Sequence, residues 1–277
     1  MTAATSETAN DERIIRLVAT DLDGTLLRDD QTVSERTRRA LAAAQSLGIT
    51  IVLVTGRPPR FVLPLVEELG LEGAAICCNG AILLDLATGN IQEHTLLESA
   101  TALTVVERLR SAEPGVAFAI ERGLRYGSEP AYRAMGGMGR PGDDEIATVQ
   151  TLCAQPVTKL LARHPELSGP AYYPAARELA GDLAMITVSG PRLVEIAALG
   201  VNKSAMLARY AARLGVTPAQ VIAFGDMPND APMLAWAGRG VAVANAHPEA
   251  RAAADGLTAS NMEDGVAITL ERLLERM

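Results

Sequence analysis

The first chemical signal in the chain is a pair of aspartates, Asp21 and Asp23, which follow the apolar run 14–20 and precede Gly24. Residues two apart on an extended chain face the same side. Both carboxylates are therefore predicted to point into the crevice at the carboxyl end of a parallel sheet, where α/β proteins bind ligands. Two carboxylates held that close repel each other, so they need a divalent cation or a proton on one of them. The alternative is an acidic turn that closes the strand, since Asp and Gly are common in turns.

A second group of aspartates follows the apolar run 221–224, with Asp226 directly after Gly225 and Asp230 further along the same segment. If the two strands are parallel, Asp226 lies at the same sheet edge as Asp21. Asp230 is then either a further member of the group or the N-cap of the next helix. Three or four carboxylates at one edge suit a hard cation, and Mg²⁺ with several retained waters suits a site with few protein ligands.

Two further segments could bind an anion. Thr55 and Gly56 follow the β-branched run 49–54, and a hydroxyl with the free N–H groups of a Gly-containing turn makes an anion cradle. Taken alone, such a segment is more often a simple turn. Lys203 lies at the start of a predicted helix, where a cation is electrostatically unfavourable unless an anion is nearby. Together with the acidic segments, these residues predict a metal pocket beside a phosphate site.

The elements that must position these residues alternate between apolar runs and helical patterns. The apolar runs lie at 14–20, 49–54, 74–78, 221–224 and 240–244. The first helix is predicted to begin after Ser34 as its N-cap and to stop at Gly48, and another covers 204–214. This order is typical of an α/β fold, with a parallel sheet covered by helices on both faces.

The middle of the chain has a different pattern. Strand-like runs flank short turns at 87–90 and at Arg122-Gly123, and such hairpins belong to antiparallel sheet. We therefore predict a discontinuous α/β core over residues 1–84 and 190–277, with an α+β insertion, the cap, over residues 85–189.

Composition excludes several classes of protein. With 25 Lys plus Arg against 33 Asp plus Glu, the net charge is −8 and the pI is near 5.0, whereas a nucleic-acid surface needs a basic stripe. The three cysteines, Cys77, Cys78 and Cys153, match neither a disulfide framework nor a zinc spacing, so we expect them reduced and buried. The N-terminus lacks the apolar region of a secretory signal, and the longest nearly apolar stretch, 73–84, is too short to span a membrane. We expect a cytoplasmic protein that binds neither nucleic acid nor membrane.

In sequence order, the four segments resemble the four short motifs of the haloacid dehalogenase (HAD) superfamily. The insertion resembles the class IIB cap of Cof-type phosphatases, and the resemblance implies a doubly wound, Rossmann-like core. Supporting details are Arg57-Pro58, Cys78-Asn79-Gly80-Ala81 and the closing segment 260–266. Two departures leave the chemistry intact: Ser204 stands where a Gly often follows the lysine, and Val243-Ala244 stand where the family commonly has Met-Gly.

The resemblance implies a mechanism. Asp21 would attack the phosphorus and form an aspartyl-phosphate. Asp23 would protonate the leaving oxygen and then deprotonate the attacking water. Mg²⁺, bound by Asp21, the backbone carbonyl of Asp23 and Asp226, would neutralise the approach of a carboxylate to a phosphate dianion.

The resemblance also implies roles for the other motif residues. Thr55, the N–H of Gly56 and Lys203 would hold the phosphate oxygens, because electrostatic preorganisation does most of the work in phosphoryl transfer. Asn229 and Asp230 would support the metal shell, and Asp230 would also orient Lys203.

The cap is expected to select the leaving group. Sugar phosphates are the first candidate substrates, with flavin mononucleotide or another phosphorylated cofactor next. Asn79, at a strand end facing the site, is predicted to contact the substrate or to support the residues that do. Candidate contacts in the cap are Arg122, Arg125, Tyr126, Arg133, Arg140, His164, Tyr172 and Tyr173, most of which we expect to be ordinary surface or packing residues.

The resulting hypothesis is a Mg²⁺-dependent phosphatase that acts on a small phosphorylated metabolite. One alternative is a phosphomutase of the same superfamily, which uses the same nucleophile and acid pair but returns the phosphoryl group to the substrate. A non-catalytic sensor of a phosphorylated ligand would keep the fold, but it would not need carboxylates at both Asp21 and Asp23.

Overall fold

The computed structural model describes residues 14–136, 144–188 and 190–276. The strands in these residues are Leu17–Thr20 (β1), Thr50–Val54 (β2), Ala74–Cys77 (β3), Ile82–Asp85 (β4), Ile91–His94 (β5), Ala117–Arg122 (β6), Arg125–Ser128 (β7), Asp144–Ile146 (β8), Lys159–Arg163 (β9), Met185–Thr187 (β10), Val194–Ala197 (β11), Val221–Gly225 (β12), Arg239–Ala242 (β13) and Gly256–Leu257 (β14). The α-helices in the same residues are Glu35–Ser46 (α1), Pro59–Leu69 (α2), Ser99–Ala112 (α3), Pro130–Ala134 (α4), Val149–Leu152 (α5), Gly169–Ala180 (α6), Lys203–Arg213 (α7), Ala231–Trp236 (α8), Pro248–Ala253 (α9) and Gly265–Leu274 (α10).

The first sheet has the strand order β14-β13-β12-β1-β2-β3-β4-β5. Neighbours from β14 to β3 pair in parallel, and β4 and β5 add an antiparallel hairpin at one edge. One face packs on α1, α2 and α10 through residues such as Leu41, Val62 and Leu270. The other face packs on α7 and α8 through Leu207 and Leu234. The predicted doubly wound, Rossmann-like core is confirmed.

Local sequence explains these elements. Within β1, Val18 faces one core while Leu17 and Ala19 face the other, so a continuous apolar run is needed to bury both faces. The Ser34 hydroxyl accepts a hydrogen bond from the N–H of Thr37 at 3.1 Å and caps α1 as predicted. After α1 ends, Gly48 turns the chain with a φ of +80°, a conformation that glycine adopts without steric cost.

The second sheet has the strand order β10-β11-β9-β6-β7-β8. Its pairs are antiparallel except β7 with β8. Helices α3 and α6 pack on one face through Val105, Leu109 and Tyr172. The opposite face carries a smaller apolar cluster that includes Tyr132 and Leu161. This sheet and its helices form the predicted α+β insertion.

Two strands belong to a different domain from the one that the sequence predicted. The hairpin strand β5 was placed in the cap by sequence but pairs with the first sheet, and β11 was placed in the core but pairs with β9 of the second sheet. Hydrogen bonding to a neighbouring strand, which local sequence does not specify, decides both assignments. We propose boundaries near Leu97 and Ala198 in place of 84/85 and 189/190.

Other expectations concern single features. In the part of the chain that the structure describes, no helix combines the length and the apolar character needed to cross a membrane. Cys77, Cys78 and Cys153 are free and buried, as predicted. The N-terminal residues 1–13, for which no secretory signal is predicted, lie outside the described residues, as does Arg140.

A buried ion pair joins the core to the cap. Arg60 of α2 donates from Nη2 to Oε1 of Glu121, on β6, at 2.8 Å, and both side chains are buried. Burial raises the pKa of Glu121 above its ordinary value, although the hydrogen bonds and charge of Arg60 act in the opposite direction. Each charge therefore depends on the other for compensation.

We expect Glu121→Met to lower the free energy of unfolding by about 3–5 kcal/mol, because it leaves the Arg60 charge buried and unpaired. The double variant Arg60→Met/Glu121→Met removes both charges and should be more stable than Glu121→Met alone. Urea denaturation of the wild type, both single variants and the double variant measures the difference. Additive losses in the double variant would contradict the pairing.

Candidate active site

Two adjacent parallel strands bring the main aspartates together. β1 and β12 pair with Thr20 opposite Phe224, and the N–H of Asp21 donates to the carbonyl of Phe224 at 3.0 Å. Asp21 and Asp226 therefore leave their strands at the same edge of the sheet, and both are buried. The predicted meeting of the two segments occurs because the strands are parallel neighbours.

The loop after β1 folds back onto Asp226. Thr25 Oγ1 donates to Asp226 Oδ1 at 3.0 Å. Gly24 has a φ of +79°, and a Cβ atom there would lie 2.5 Å from Asp226 Oδ2. A residue with a side chain would meet both backbone strain and a steric clash, so glycine is required for this close approach.

Lys203 lies between two of the carboxylates. Its Nζ is 2.6 Å from Asp21 Oδ1 and 2.6 Å from Asp230 Oδ1. Oδ2 of Asp230 accepts hydrogen bonds from the N–H groups of Asp226 and Met227 at 3.2 and 2.9 Å. Asp230 thus uses both oxygens to hold the lysine and the loop after β12, instead of capping α8 with its side chain.

The cluster carries more negative than positive charge. Oxygens of Asp21, Asp226 and Asp230 lie within 4.8 Å of one another, with Lys203 as the ammonium bonded to two of them. Burial, reinforced by the neighbouring carboxylates, raises the pKa of Asp21 well above its ordinary value. Burial and Asp230 raise the pKa of Asp226 to about 6. Burial would lower the pKa of Lys203, but Asp21 and Asp230 outweigh it and raise that pKa.

The donor set fits a divalent cation. In the contacts above, Lys203 binds one oxygen of Asp21 and Thr25 binds one oxygen of Asp226. The second oxygen of each carboxylate can ligate a cation, whose charge would offset the burial and the repulsion that raise both pKa values. Asp21 and Asp226 are the two side chains best placed to hold it.

Asp23 lies apart from this cluster. Its carboxylate accepts a hydrogen bond from Arg57 Nε at 2.7 Å, and its side chain is 45% exposed. Asp21 and Asp23 line the same cavity, but one carboxylate is buried against Lys203 and the other is bound to Arg57. The strand ends at Thr20, so the alternation of an extended chain does not continue to Asp23.

Arg57 is a site residue that the motif analysis did not assign a role. Its position directly after Thr55 and Gly56 could have indicated a role, because a cation there can reach the first acidic loop. The backbone N–H of Arg57 donates to Thr55 Oγ1 at 3.0 Å, and the backbone N–H of Thr55 donates to the carbonyl of Ile76 at 2.8 Å. These bonds fix the predicted phosphate loop at the end of β2.

The loop after β3 connects several predicted residues. Asn79 Oδ1 accepts from Asn229 Nδ2 at 3.0 Å, and Asn79 Nδ2 donates to Glu195 of the cap at 2.9 Å. Cys78, Asn79 and Gly80 all have positive φ values of 52°, 57° and 103°. A Cβ atom on Gly80 would lie 2.3 Å from the carbonyl oxygen of Asn202, so this loop packs directly against the start of α7, which carries Lys203.

A cavity of about 360 Å³ lies between the two sheets. Asp21, Thr55, Gly56 and Lys203 line its core side. Further lining residues come from α2 and the cap, and they include Arg60, Phe61, Glu121, Tyr126, Tyr132, Lys159, Leu161, Arg163, Arg192 and Glu195.

Only some candidate cap contacts reach this cavity. Tyr126 lines it. Tyr172 is buried in the cap core and Tyr173 packs against it, while Arg122 donates to backbone carbonyls of 152 and 155–156. His164 contacts Glu113, and Arg125 and Arg133 are exposed. Local sequence did not single out Tyr132, Lys159 or Arg163, because the packing of α4 and the strand pairing within the cap decide which side chains face the cavity.

Residues 18–270 match the haloacid dehalogenase-like hydrolase family. The chain belongs to this family. It is 32% identical over 269 residues to the 5-amino-6-(5-phospho-D-ribitylamino)uracil phosphatase YcsE of Bacillus subtilis (strain 168), with 91% of this chain and 93% of the relative covered. It is 28% identical over 263 residues to the pyridoxal phosphate phosphatase YbhA of Escherichia coli (strain K12), with coverage of 91% and 96%.

The likeness extends to solved structures. The HAD subclass IIB sugar phosphatase BT4131 superposes with a TM-score of 0.79 at 19% identity, over 93% of this chain and 98% of that chain. At this identity the likeness concerns the fold, which is a Rossmann-like core with a class IIB cap. Family and relatives together make this chain a phosphoric monoester hydrolase.

The packing of Gly80 on Asn202 generates a prediction. Gly80→Ala should displace the start of α7 and Lys203, lower the free energy of unfolding by about 1–3 kcal/mol and reduce phosphate release. Gly200→Ala is a matched control, because Gly200 has a φ of +81° but no atom within 4 Å of the added Cβ. Gly200→Ala should lower the free energy of unfolding by only about 1 kcal/mol, because its single cost is a side chain on a left-handed backbone. Urea denaturation and phosphate release check both variants, and equal effects would contradict the steric role of Gly80.

Proposed function

We propose that this chain is a Mg²⁺-dependent phosphatase that hydrolyses small phosphate monoesters through an aspartyl-phosphate on Asp21. The observation that carries the proposal is the buried Asp21 carboxylate, 2.6 Å from Lys203 Nζ, in a cavity that Thr55 and Gly56 also line. A nucleophile, a cation and a phosphate loop thus meet at one edge of the sheet.

Asp21 is proposed as the nucleophile. Its carboxylate oxygen bonds to phosphorus while the bond from phosphorus to the ester oxygen breaks, so the phosphoryl group passes to Asp21. Water then attacks the same phosphorus, which releases inorganic phosphate and restores the carboxylate. The contact with Lys203 holds Asp21 in one orientation for both steps.

Asp23 is proposed as the general acid and base. Its proton goes to the leaving oxygen in the first step, and it takes a proton from the attacking water in the second. When no substrate is bound, Arg57 holds Asp23 away from Asp21. To reach the ester oxygen, Asp23 must break its contact with Arg57, and its half-exposed position gives the side chain room to turn.

The remaining residues are proposed to hold charge in place. Lys203, Thr55 Oγ1 and the N–H of Gly56 would bind the phosphoryl oxygens, because fixed donors in a dry site stabilise developing charge at little reorganisation cost. Asp21, Asp226 and the backbone carbonyl of Asp23 would hold Mg²⁺. When bound, this ion would offset the repulsion between a carboxylate and a phosphate dianion.

The proposed substrate is a small phosphorylated metabolite. The cavity of about 360 Å³ falls in the range of small-molecule sites. The relatives named above act on a phosphoribitylamino-uracil and on pyridoxal phosphate, which supports a phosphorylated cofactor or precursor beside the sugar phosphates predicted first. The phosphomutase and sensor alternatives gain no support from these relatives. A cytoplasmic location stays a prediction.

Free-phosphate release from a panel of phosphate monoesters, with Mg²⁺ and with chelator, tests the proposal. Asp21→Asn is nearly isosteric and should reduce turnover by about a thousandfold or more, because it removes the nucleophile. Asp30→Asn, a change in an exposed loop, is the matched control and should keep the wild-type rate. Wild-type turnover in Asp21→Asn would exclude Asp21 as nucleophile, and ester interconversion without phosphate release would establish a mutase.

The raised pKa of Asp226, about 6 against an ordinary value of 3.8, predicts how pH affects metal-free stability. The folded protein holds the Asp226 proton more tightly than the unfolded chain does. The stability contributed by this group is therefore complete below about pH 4 and is lost as pH rises through about 6. Mg²⁺ should compensate for that loss and raise the midpoint of thermal unfolding most above pH 6.

Thermal unfolding between pH 4.5 and pH 7.5, with and without Mg²⁺, checks this expectation. In Asp226→Asn both the pH-dependent loss and the Mg²⁺ effect should shrink, because the neutral amide neither titrates nor adds charge to the cation site. A Mg²⁺ effect of equal size across the pH range would contradict the role of Asp226.

A further inference from the structure

A lysine of the cap reaches the phosphate loop of the core. Lys159 begins β9, and its ammonium donates to the carbonyl oxygen of Gly56 at 2.8 Å. The Lys159 side chain is only 3% exposed, so its ammonium is largely shielded from bulk water. A hydrogen bond from a charged donor is stronger in such surroundings than at a surface.

A buried carboxylate compensates the charge of this lysine. In the antiparallel pairing of β9 and β11, Glu195 lies opposite Leu161, two residues from Lys159 and therefore on the same face of the sheet. Glu195 and Lys159 form an ion pair. Burial alone would lower the pKa of Lys159, but Glu195, Cys78 and Glu121 outweigh it, so the pKa is raised and the ammonium stays protonated.

The same ion pair has a second anchor in the core. Glu195 Oε2 accepts from Asn79 Nδ2 at 2.9 Å, and Asn79 is bonded in turn to Asn229. Lys159 and Glu195 thus contact two separate core loops, one after β2 and one after β3. Two anchors restrict where the ammonium can lie relative to Gly56.

The peptide group between Gly56 and Arg57 is held at both of its polar atoms. Lys159 binds its carbonyl oxygen, and its N–H donates to Thr55 Oγ1 at 3.0 Å. A hydroxyl that accepts this bond can still donate its own hydrogen. The peptide therefore orients Thr55 to donate toward the cavity, and rotation of the peptide would break both bonds.

We propose that Lys159 is a positioning residue for the phosphate loop, acting through the Gly56–Arg57 peptide to orient Thr55 when the cap lies over the core. This inference rests on the proposed phosphatase function. Lys159 serves the phosphoryl group and not the leaving group, although it belongs to the cap. Binding of phosphate to the core is thereby coupled to the position of the cap.

The double variant Lys159→Met/Glu195→Gln tests the proposal. It removes both charges together, so no buried charge is left unpaired, and the amide oxygen introduced at position 195 can still accept from Asn79. Inorganic phosphate, used as a competitive inhibitor of ester hydrolysis, probes the loop without any leaving group. The inhibition constant for phosphate should rise about tenfold, as expected for loss of a charge-assisted hydrogen bond, and kcat should fall.

Two control variants distinguish positioning of the phosphate loop by Lys159 from a general effect on how the cap is held against the core. Arg60→Met/Glu121→Gln removes the other buried pair between core and cap, whose two side chains are hydrogen-bonded to each other and not to Gly56. It should change KM for an ester but keep the phosphate inhibition constant within about twofold. Lys159→Arg keeps a cationic donor and should recover part of the phosphate affinity.

The outcomes are distinct. A wild-type phosphate inhibition constant in folded Lys159→Met/Glu195→Gln would overturn the inference, and so would equal weakening in both double variants. If that protein fails to unfold cooperatively, Lys159→Gln/Glu195→Gln replaces it, because two amides can pair but the shorter side chain at position 159 cannot reach Gly56. A wild type that hydrolyses no ester would contradict the proposed function instead, and calorimetric titration with phosphate would still test Lys159.

Discussion

The structure of the site depends on one ammonium group among buried carboxylates. Lys203 Nζ lies 2.6 Å from both Asp21 and Asp230, and it offsets only part of the negative charge at this edge of the sheet. The remaining charge makes the pocket suitable for a cation and leaves the proposed nucleophile unable to swing away. Asp230, bonded to the lysine and to two backbone N–H groups, transmits this constraint to the loop that carries Asp226. Without the lysine, three buried carboxylates in mutual contact would favour protonation or a more open loop.

Polar contacts connect the cap to the core around the cavity. Arg60 pairs with Glu121, and Lys159 pairs with Glu195 while reaching Gly56. Such pairs add little net stability compared with well-packed apolar residues, but they are costly to break singly. They therefore favour one alignment of the cap over others. This is a suitable arrangement for a phosphatase, because a misplaced cap would also misalign the groups that we propose to bind phosphate.

Much of the architecture was predictable because it follows from local pattern. Continuous apolar runs identified β1, β2 and β12 as strands buried on both faces, and Ser34 and Gly48 marked the ends of a helix for stereochemical reasons. The hairpin of β4 and β5 was predicted as well, but the predicted boundary placed β5 in the cap, whereas β5 pairs with β4 and continues the core sheet. Hairpin signals specify two strands and their turn, whereas the sheet that they join depends on contacts between segments distant in sequence.

By itself, the sequence determined the types of residue at the strand ends, and hence that carboxylates, a lysine and a Thr-Gly turn would be available for phosphate chemistry. The parallel order of β1, β2 and β12 then placed the carboxylates and the Thr-Gly turn at one edge, as expected for this fold class, and Lys203 reaches that edge from the start of α7. The resemblance already implied that Asp230 orients Lys203, and the two side chains are in contact. Tertiary structure alone decided that Asp23 pairs with Arg57 and that Lys159 reaches Gly56 from a position more than 100 residues away. These pairings depend on distances across strands and between two sheets. Local propensity carries no information about such distances, because charge and geometry select partners only once the chain has folded.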